Sequence, residues 1–187
     1  MVTAQRTYSM LGNESLWTVA QRCHELLAAE RIPHAIIGGV AVCLHGYQRN
    51  TVDLDLLVRS TEADAIRSLF ESARLTWSTE RAEFRSVEGI PVQLLLAANR
   101  AGRDSEVRLP DPADEASVTH IEGLAVVTLE KLIEAKLACG QGDLRRTHKD
   151  FADVVELIAR HQLGKPFASR LHKSLRPAFR KLVTHAR

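Results

Sequence analysis

The sequence has 187 residues, of which 45% are hydrophobic and 26% charged, and its formal net charge is +2. This composition is typical of a soluble globular protein, and the length predicts one domain or one domain with a helical appendage. A transmembrane protein is excluded at this level, because no apolar run reaches the roughly 18 residues that a membrane span requires.

The N-terminal residues and the cysteines both predict a cytoplasmic protein. Residues 1–10 have neither an apolar core nor a cleavage pattern, so we expect no signal peptide. Cys23, Cys43 and Cys139 are an odd number and have no metal-binding spacing. We interpret them as reduced, mostly buried thiols.

Hydrophobic periodicity predicts alternating helices and strands in the first half of the chain. The predicted elements are a helix over 13–30 with Asn13 as N-cap, a strand over 34–37, a helix over 39–46, a strand over 53–58, a helix over 62–72, and strands over 83–87 and 90–97. A polar loop rich in glycine and proline is expected over 99–115.

The second half of the chain predicts mainly helices. After a strand over 124–127, we expect a helix from Thr128 that ends at Gly140, a helix over 147–161, and a last helix over 167–182 that is broken near Pro177. The whole order predicts an α/β or α+β fold with helices on a sheet and a C-terminal helical cluster.

A glycine pair and two aspartates mark the candidate site. Strand alternation places Asp53 and Asp55 on one face, with Leu54 on the other. Two carboxylates about 7 Å apart repel each other unless a cation lies between them, and Mg²⁺ binds carboxylate oxygens. Gly38 and Gly39 remove side chains at a strand-to-helix junction, where free amides hold an anion. Together these features suggest a metal-bound nucleoside triphosphate.

This stretch resembles the nucleotidyltransferase fold superfamily, in which a Gly-Gly or Gly-Ser pair and a short helix precede an Asp-x-Asp strand. It is most similar to the small bacterial branch of AbiEii-like toxins and minimal nucleotidyltransferases. The matching residues are Ile37, Gly38, Gly39, Ala41, Gly46, Arg49, Thr51, Asp53 and Asp55. The resemblance implies a mixed sheet flanked by helices, with a nucleotidyltransferase-like core over 1–127 and a helical region over 128–187 packed on it.

The resemblance also assigns roles to these residues. It implies that Asp53 and Asp55 bind Mg²⁺ and act in catalysis, and that main-chain amides near Gly38 and Gly39 hold the triphosphate. Arg49 either offsets phosphate charge or forms a surface ion pair. The hydroxyl residue that follows, Thr51, is expected mainly to support the loop of this nucleotide-binding site.

One expected residue is absent from the pattern. Active members of the superfamily usually carry a third carboxylate on a later strand, and the corresponding position here is Gln93. A glutamine amide carries no charge and is a poorer Mg²⁺ ligand. The departure leaves three alternatives: a one-metal site, a carboxylate borrowed from another position such as Glu83, or an inactive relative.

A second resemblance lies downstream. The residues around Lys136, followed by Asp150 and Asp153, are similar to a Lys…Asp pattern of the AbiEii-like branch. It implies that Lys136 contacts nucleotide phosphate and acts in catalysis, with Asp150 or Asp153 near it as a base or as the partner of the lysine. The two aspartates are i and i+3 neighbours on one helix face, and acids in a first turn also fit a helix-capping role. The eight histidines show no metal-ligand spacing.

The charge of the chain is unevenly distributed. Eight of the 25 Lys and Arg residues lie after Glu156, and no acid does. The basic C-terminal region therefore predicts either a surface for nucleic acid or another acidic partner, or a solvated helix that complements the acidic body of the same domain.

The resemblance and the residues together predict an enzyme that transfers a nucleoside monophosphate from a Mg²⁺-bound nucleoside triphosphate to a hydroxyl, releasing pyrophosphate. The acceptor is expected to be RNA, a protein side chain or a small molecule, and the resemblance suggests a toxin–antitoxin or phage-defence setting. The main alternative is an inactive relative that binds nucleotide, RNA or a partner protein. An antibiotic-modifying enzyme is less expected, because those enzymes usually add a substrate domain.

Overall fold

A seven-stranded mixed sheet forms the centre of the computed structural model, which describes residues 3–186; Met1, Val2 and the basic Arg187 lie outside the described residues. The strands are β1 (His34–Ile37), β2 (Leu54–Val58), β3 (Thr76–Ser78), β4 (Glu83–Arg85), β5 (Pro91–Leu96), β6 (Val118–Ile121) and β7 (Leu124–Val127). Their spatial order is β3-β4-β5-β2-β1-β7-β6. The predicted mixed sheet in an α/β (α+β) fold is confirmed.

Seven α-helices accompany this sheet in the described part of the chain. They are α1 (Ala4–Met10), α2 (Glu14–Ala29), α3 (Gly38–Leu44), α4 (Ala63–Ser72), α5 (Leu129–Gly142), α6 (Leu144–Arg160) and α7 (Arg176–Val183). Short 3-10 helices occupy Ser60–Glu62, Lys165–Arg170 and Lys173–Leu175. Within residues 3–186, no helix is both long and apolar enough to cross a bilayer.

The register of the central strands determines where the candidate site lies. β1 pairs with β2 antiparallel and with β7 parallel, and β2 pairs with β5 parallel. Ile37 is therefore opposite Asp55, and Asp55 is opposite Gln93. The end of β1, the start of β2 and the start of β5 meet at one place in the sheet.

The hydrophobic core is shared between the sheet and the C-terminal helices. α5 packs closely against α6 and also contacts α3. Leu132 and Leu137 of α5 are fully buried, as are Val154 and Leu157 of α6. Burial of such side chains contributes about 1.5–3 kcal/mol each, so α5 and α6 add substantially to the stability of the fold. The division at residue 127 stays a prediction.

Three elements were not predicted from the sequence. α1 is short and polar, and it forms because Thr3 caps its N-terminus while the Glu122 carboxylate accepts hydrogen bonds from the first turn. β3 has only three residues, too few for a clear alternation. β6 pairs with β7 through a tight turn at Glu122–Gly123, where both residues have positive φ, as type I′ hairpins require.

Several predicted helix boundaries were wrong. Gly140 does not end α5; a Cβ there would lie 2.6 Å from the Phe151 ring, so this glycine permits close packing of α5 on α6. α6 begins at Leu144 rather than Thr147, because Asp143 caps it through the Arg145 amide. Pro177 does not break a helix but lies in the first turn of α7, where proline is tolerated.

The predicted cap at Asn13 also has a different role. Its side chain makes no cap hydrogen bond to α2. Instead it donates to the Thr51 carbonyl at 2.8 Å and contacts the Asn50 side chain. Asn13 thus anchors the loop that leads into the candidate site.

Candidate functional site

The Asp55 carboxylate lies directly against Gly38. Gly38 has φ +72°, a conformation that glycine adopts without strain, and a Cβ at this position would lie 1.9 Å from Asp55 Oδ2. Any larger residue would displace the carboxylate. The glycine is therefore required both by the backbone at the β1–α3 junction and by the position of Asp55.

Asp53 lies in the loop just before β2, which begins one residue later than predicted. Its Oδ1 accepts a hydrogen bond of 2.9 Å from Thr51 Oγ1. Thr51 in turn lies against Gly39, where a Cβ would be 2.4 Å from the hydroxyl oxygen. The glycine pair therefore makes room for both aspartates, through direct contact with Asp55 and through Thr51 for Asp53.

A cavity of about 250 Å³ opens beside Asp55. Its polar lining combines a carboxylate and an amide from the sheet with a thiol and cations from α5, α6 and the segment after β5. These side chains are Asp55, Gln93, Arg100, Lys136, Cys139 and Arg146. The sequence predicted Asp55 and Lys136 as site residues, and the fold brings them to the same cavity.

The electrostatic environment of Asp55 is unfavourable to its charge. Burial and, to a smaller extent, the neighbouring Asp53 carboxylate raise the pKa of Asp55 to about 6, although Lys136 and Arg146 act in the opposite direction. A divalent cation beside the two carboxylates would favour the ionised form. Carboxylate oxygens with a nearby amide oxygen from Gln93 fit Mg²⁺, which commonly takes one or two carboxylates and completes its shell with water and phosphate.

α5 and α6 carry an ion-pair network whose members Lys136 and Arg146 line the cavity. Lys136 Nζ lies 2.9 Å from Asp150 Oδ1 and 2.8 Å from Asp153 Oδ2. Both aspartates are almost completely buried. The predicted association of Lys136 with these acids is thus present in the geometry, and the i, i+3 spacing of the acids lets one ammonium reach both.

Arginines complete the network at its two ends. Arg49 holds Asp153 with two hydrogen bonds, of 2.7 Å from Nε and 3.0 Å from Nη2. Arg146 Nε donates to Asp150 Oδ2 at 3.1 Å. Arg49 is therefore in an ion pair, but a largely buried one rather than the surface pair that was one of the alternatives. Cations and carboxylates alternate along the network, and each of its two carboxylates has two cationic partners. The order is Arg49, Asp153, Lys136, Asp150, Arg146.

Gln93 occupies the position expected for a third carboxylate. It lies directly beside Asp55 in the parallel β2–β5 register and faces the same cavity. The borrowed-acid alternative finds no support, because Glu83 is paired with Arg85 at 2.7 Å and does not line the cavity. Across residues 3–186, no group of three or more His, Cys, Asp or Glu side chains could hold a metal ion.

Sequence reasoning missed two of the cavity cations. Arg146 had a local signal, since it is four residues before Asp150 on the same helix. Arg100 had none: it lies in the segment predicted as an irregular loop, which folds back on itself through hydrogen bonds between Ala101 and Val107 and between Ala98 and Leu109. This folded segment, residues 98–109, forms one wall of the cavity and is called the 98–109 loop below.

The basic C-terminal residues are partly used within the fold. Arg170 pairs with Glu130 at 3.2 Å, and Arg176 donates to the Leu171 carbonyl at 2.9 Å. These contacts are of the kind expected if the region complements the rest of its own domain. A nucleic-acid surface on this region stays a prediction.

The histidines lie away from the cavity. His45 Nε2 bonds the Val127 carbonyl at 2.8 Å, and His24 and His34 contact each other at 2.7 Å between ring nitrogens. None of the three is among the cavity residues. They serve packing and local hydrogen bonding in this structure.

Comparison with known proteins gave no match to any family model and none to a curated protein. Several solved structures are similar. TM1012 of Thermotoga maritima, described as a nucleotidyltransferase, has a TM-score of 0.52 and 18% identity over 74% of this chain and 93% of its own. JHP933 of Helicobacter pylori has a TM-score of 0.53 and 18% identity over 99% of this chain and 92% of its own.

The third similar structure is ANT(2″)-Ia in complex with adenylyl-2″-tobramycin. It has a TM-score of 0.59 and 15% identity, over 89% of this chain and 98% of its own. At these identities the likeness establishes the fold and leaves the AbiEii-like branch a hypothesis. The sheet order, the helices and these structural relatives lead to one conclusion: the chain has the nucleotidyltransferase fold.

Proposed function

We propose that this protein transfers a nucleoside monophosphate from a Mg²⁺-bound nucleoside triphosphate to an acceptor oxygen, with release of pyrophosphate. The observation that carries the proposal is the position of Asp55 on Gly38, in a cavity that also contains Lys136. A buried carboxylate with a raised pKa in a cleft is a frequent mark of a functional site.

Each residue near the cavity has a role in this proposal. Asp53 and Asp55 would hold Mg²⁺, with Thr51 orienting Asp53. The metal ion would supply neutralisation of triphosphate charge. Main-chain groups at Gly38 and Gly39 can approach the phosphates closely because neither residue has a side chain.

Lys136 is the proposed phosphate contact from the helical side. An ammonium has three N–H donors, and two of them are directed at Asp150 and Asp153. The third remains for a ligand, since Lys136 lines the cavity. Asp150 would hold the lysine in place, and Arg49 would act through Asp153 rather than through direct phosphate contact.

The acceptor class predicted from the sequence was a hydroxyl of RNA, a protein or a small molecule, in a cytoplasmic toxin–antitoxin or defence system. An antibiotic acceptor was less expected because of chain length. That argument fails, because this chain aligns with 98% of ANT(2″)-Ia. A different argument disfavours a cationic acceptor. Its positive charge would be repelled by Arg100, Lys136 and Arg146, which line the cavity.

A second candidate function is a nucleotide-, RNA- or protein-binding module without turnover. One observation favours it: Gln93, not an acid, lies beside Asp55. The two functions separate in one measurement, since a binding module would retain nucleotide in the presence of Mg²⁺ and release no pyrophosphate.

The testing experiment is label transfer. The purified protein, Mg²⁺ and each α-labelled nucleoside triphosphate are incubated with bacterial lysate, which is then separated into RNA, protein and small-molecule fractions. We expect label in one fraction and none with the Asp53→Asn, Asp55→Asn double variant. Nucleotide binding without label in any fraction would instead support the binding module.

A further inference from the structure

The cavity lacks a group that could take a proton from an acceptor hydroxyl. An efficient general base has to lie within hydrogen-bond reach of the proton that it removes. Among residues 3–186, the only carboxylate that lines the cavity is Asp55, and no histidine lines it. In the proposed function Asp55 is occupied as a metal ligand.

The neighbouring groups are also unsuitable as bases. The Cys139 thiol contacts the Ala101 carbonyl, and burial raises the pKa of this thiol, so the reactive thiolate is disfavoured. Asp150 and Asp153 each accept from two cations and do not line the cavity.

Gln93 removes the remaining route to an activated hydroxyl. In two-metal sites, one ion binds the attacking oxygen and the other the leaving oxygen. An acid at Gln93 would be needed to hold a further cation next to Asp55, and the amide supplies no charge. With Mg²⁺ held by Asp53 and Asp55, the site would supply positive charge to a leaving pyrophosphate, but none of the described residues that line the cavity is free to deprotonate an attacking hydroxyl.

The cations in and beside the cavity differ in whether they have a carboxylate partner. Arg49, Lys136 and Arg146 share only two carboxylates, Asp150 and Asp153. Arg100 lies on the 98–109 loop, lines the same cavity and has no salt bridge within the described part of the chain. The unpaired charge of Arg100 suits an anionic partner.

We propose that the acceptor is a phosphate monoester, whose terminal oxygen attacks the α-phosphorus of the nucleoside triphosphate. This inference rests on the proposed nucleotidyl transfer and narrows its acceptor from a hydroxyl to a phosphate. A phosphate monoester has its second pKa near 6, so most of it is a dianion at neutral pH. Such an oxygen needs no general base.

The bond changes balance without a proton acceptor. The acceptor oxygen forms a new bond to the α-phosphorus, and the bond from that phosphorus to the oxygen bridging to the β-phosphate breaks. The electron pair of the broken bond leaves with pyrophosphate. The product is a phosphoanhydride that joins the acceptor to the nucleoside monophosphate. Arg100 and Arg146 would bind the acceptor phosphate by charge-assisted hydrogen bonds.

The first experiment uses one bacterial extract in two forms. One half is treated with phosphatase, which removes phosphate monoesters and exposes hydroxyls, and the phosphatase is then inactivated. Both halves receive the protein, Mg²⁺ and α-labelled nucleoside triphosphates. The proposal expects transfer in the untreated half and a loss of roughly 10-fold or more after treatment. Equal or greater transfer to the dephosphorylated half would overturn it.

The same assay distinguishes two sources of a phosphate monoester. It also distinguishes failure of the phosphate-acceptor proposal from failure of the proposed nucleotidyl transfer. Untreated extract is divided into a small-molecule fraction and an RNA fraction, which distinguishes a phosphorylated metabolite from the terminal phosphate of an RNA. Transfer to hydroxyls alone refutes the phosphate acceptor but keeps nucleotidyl transfer. Transfer to neither half rejects both.

Variants test the residues that carry the inference. Arg100→Gln is expected to lower kcat/KM for the phosphate acceptor about 10-fold or more, by loss of a charge-assisted contact. Arg103→Gln is the matched control: Arg103 is exposed on the same 98–109 loop and does not line the cavity. Equal effects of the two variants would refute a specific role for Arg100.

The Gln93→Glu variant tests whether the acceptor preference can be shifted from phosphate towards hydroxyl. It places an acid beside Asp55, which would repel an acceptor phosphate and offer a base to a hydroxyl. We expect the ratio of phosphate to hydroxyl acceptors to fall at least about 10-fold, in line with a change of one charge contact. An unchanged ratio would show that neither the missing base nor the cavity charge selects the acceptor.

Discussion

Two pairs of aspartates lie in and beside the candidate site, and their surroundings differ. Asp150 and Asp153 are almost inaccessible to solvent, yet each accepts from two cations. Asp53 and Asp55 are less deeply buried, but neither has an ion-pair partner within residues 3–186. The pKa of Asp55 is accordingly raised to about 6.

The difference supports the metal-binding role proposed for Asp53 and Asp55 and a stabilising role for Asp150 and Asp153. Burial alone disfavours a charge, and paired cations offset that cost for Asp150 and Asp153. At Asp55, next to an open cavity, Lys136 and Arg146 offset only part of the same cost, and no cation pairs with the carboxylate directly. Sites whose electrostatics cost stability without a local gain are where ligands are expected to bind.

The largest effect should come from breaking the paired side. Asp153→Asn removes the carboxylate between Arg49 and Lys136 and leaves two buried cations with one fewer partner. We expect a loss of about 3–5 kcal/mol in the free energy of unfolding, measured by urea denaturation. The exposed Arg67–Glu71 pair gives the matched control, and Glu71→Gln should cost less than about 1 kcal/mol. Equal losses would contradict the comparison.

Replacing the unpaired carboxylate Asp55 should instead raise the free energy of unfolding. Because Asp55 has a folded-state pKa above its ordinary value of 3.8, the folded protein retains a proton that the unfolded chain releases between pH 4 and 6. The free energy of unfolding therefore falls as the pH rises through this window and stays lower above it. Asp55→Asn should raise the free energy of unfolding by on the order of 2 kcal/mol at pH 8 and by almost nothing near pH 4.

This gain should accompany a complete loss of nucleotidyl transfer, since the variant lacks a metal ligand. Urea denaturation at the two pH values, together with the label-transfer assay, checks both parts. A variant that is less stable than the original protein at pH 8 would show that Asp55 is structurally paired after all.

A smaller effect is expected at the hydroxyl that accompanies Asp53. Thr51→Val keeps the shape of a buried side chain but removes its donor to Asp53 Oδ1. We expect a loss of about 1 kcal/mol in unfolding free energy, together with a higher Mg²⁺ requirement for transfer. Thr18→Val is a useful control, because its hydroxyl bonds only a helix carbonyl on an exposed surface. Unchanged Mg²⁺ dependence would exclude a positioning role for Thr51.

The smallest stability effect should occur at Arg146. Its side chain is 58% exposed, and Asp150 retains Lys136 when the arginine is replaced. Arg146→Gln should therefore change the unfolding free energy by less than about 0.5 kcal/mol. Transfer should nevertheless fall, because Arg146 lines the cavity. The free energy of unfolding and kcat/KM for transfer are both measured for this variant. A fall in both would indicate that Arg146 has a purely structural role.

The sequence allowed the carboxylate side of the site to be predicted better than the helical side. Gly38, Gly39 and Asp55 lie within a short stretch, so local spacing carried the pattern. Gln93 was picked out by the family resemblance as the position of a missing acid, and the parallel β2–β5 register places it opposite Asp55. Local rules were sufficient where partners are near in the chain or share a simple strand register.

Long-range contacts were not predictable by the same means. Arg49 meets Asp153 across 104 residues, and no spacing rule relates the two. Arg100 reaches the cavity only because the 98–109 loop folds back on itself. Gly140 illustrates the opposite error: a local stop signal was overridden by the need for α5 to approach Phe151 closely.

The bidentate contact between Arg49 and Asp153 has a consequence for the history of the sequence. Replacing Asp153 leaves Arg49 without a carboxylate partner, and replacing Arg49 leaves Asp153 with Lys136 alone. Either change weakens a buried network at a cost of several kcal/mol, so replacement of one residue without the other is disfavoured. Among natural variants, we expect these two distant positions to be retained or replaced together.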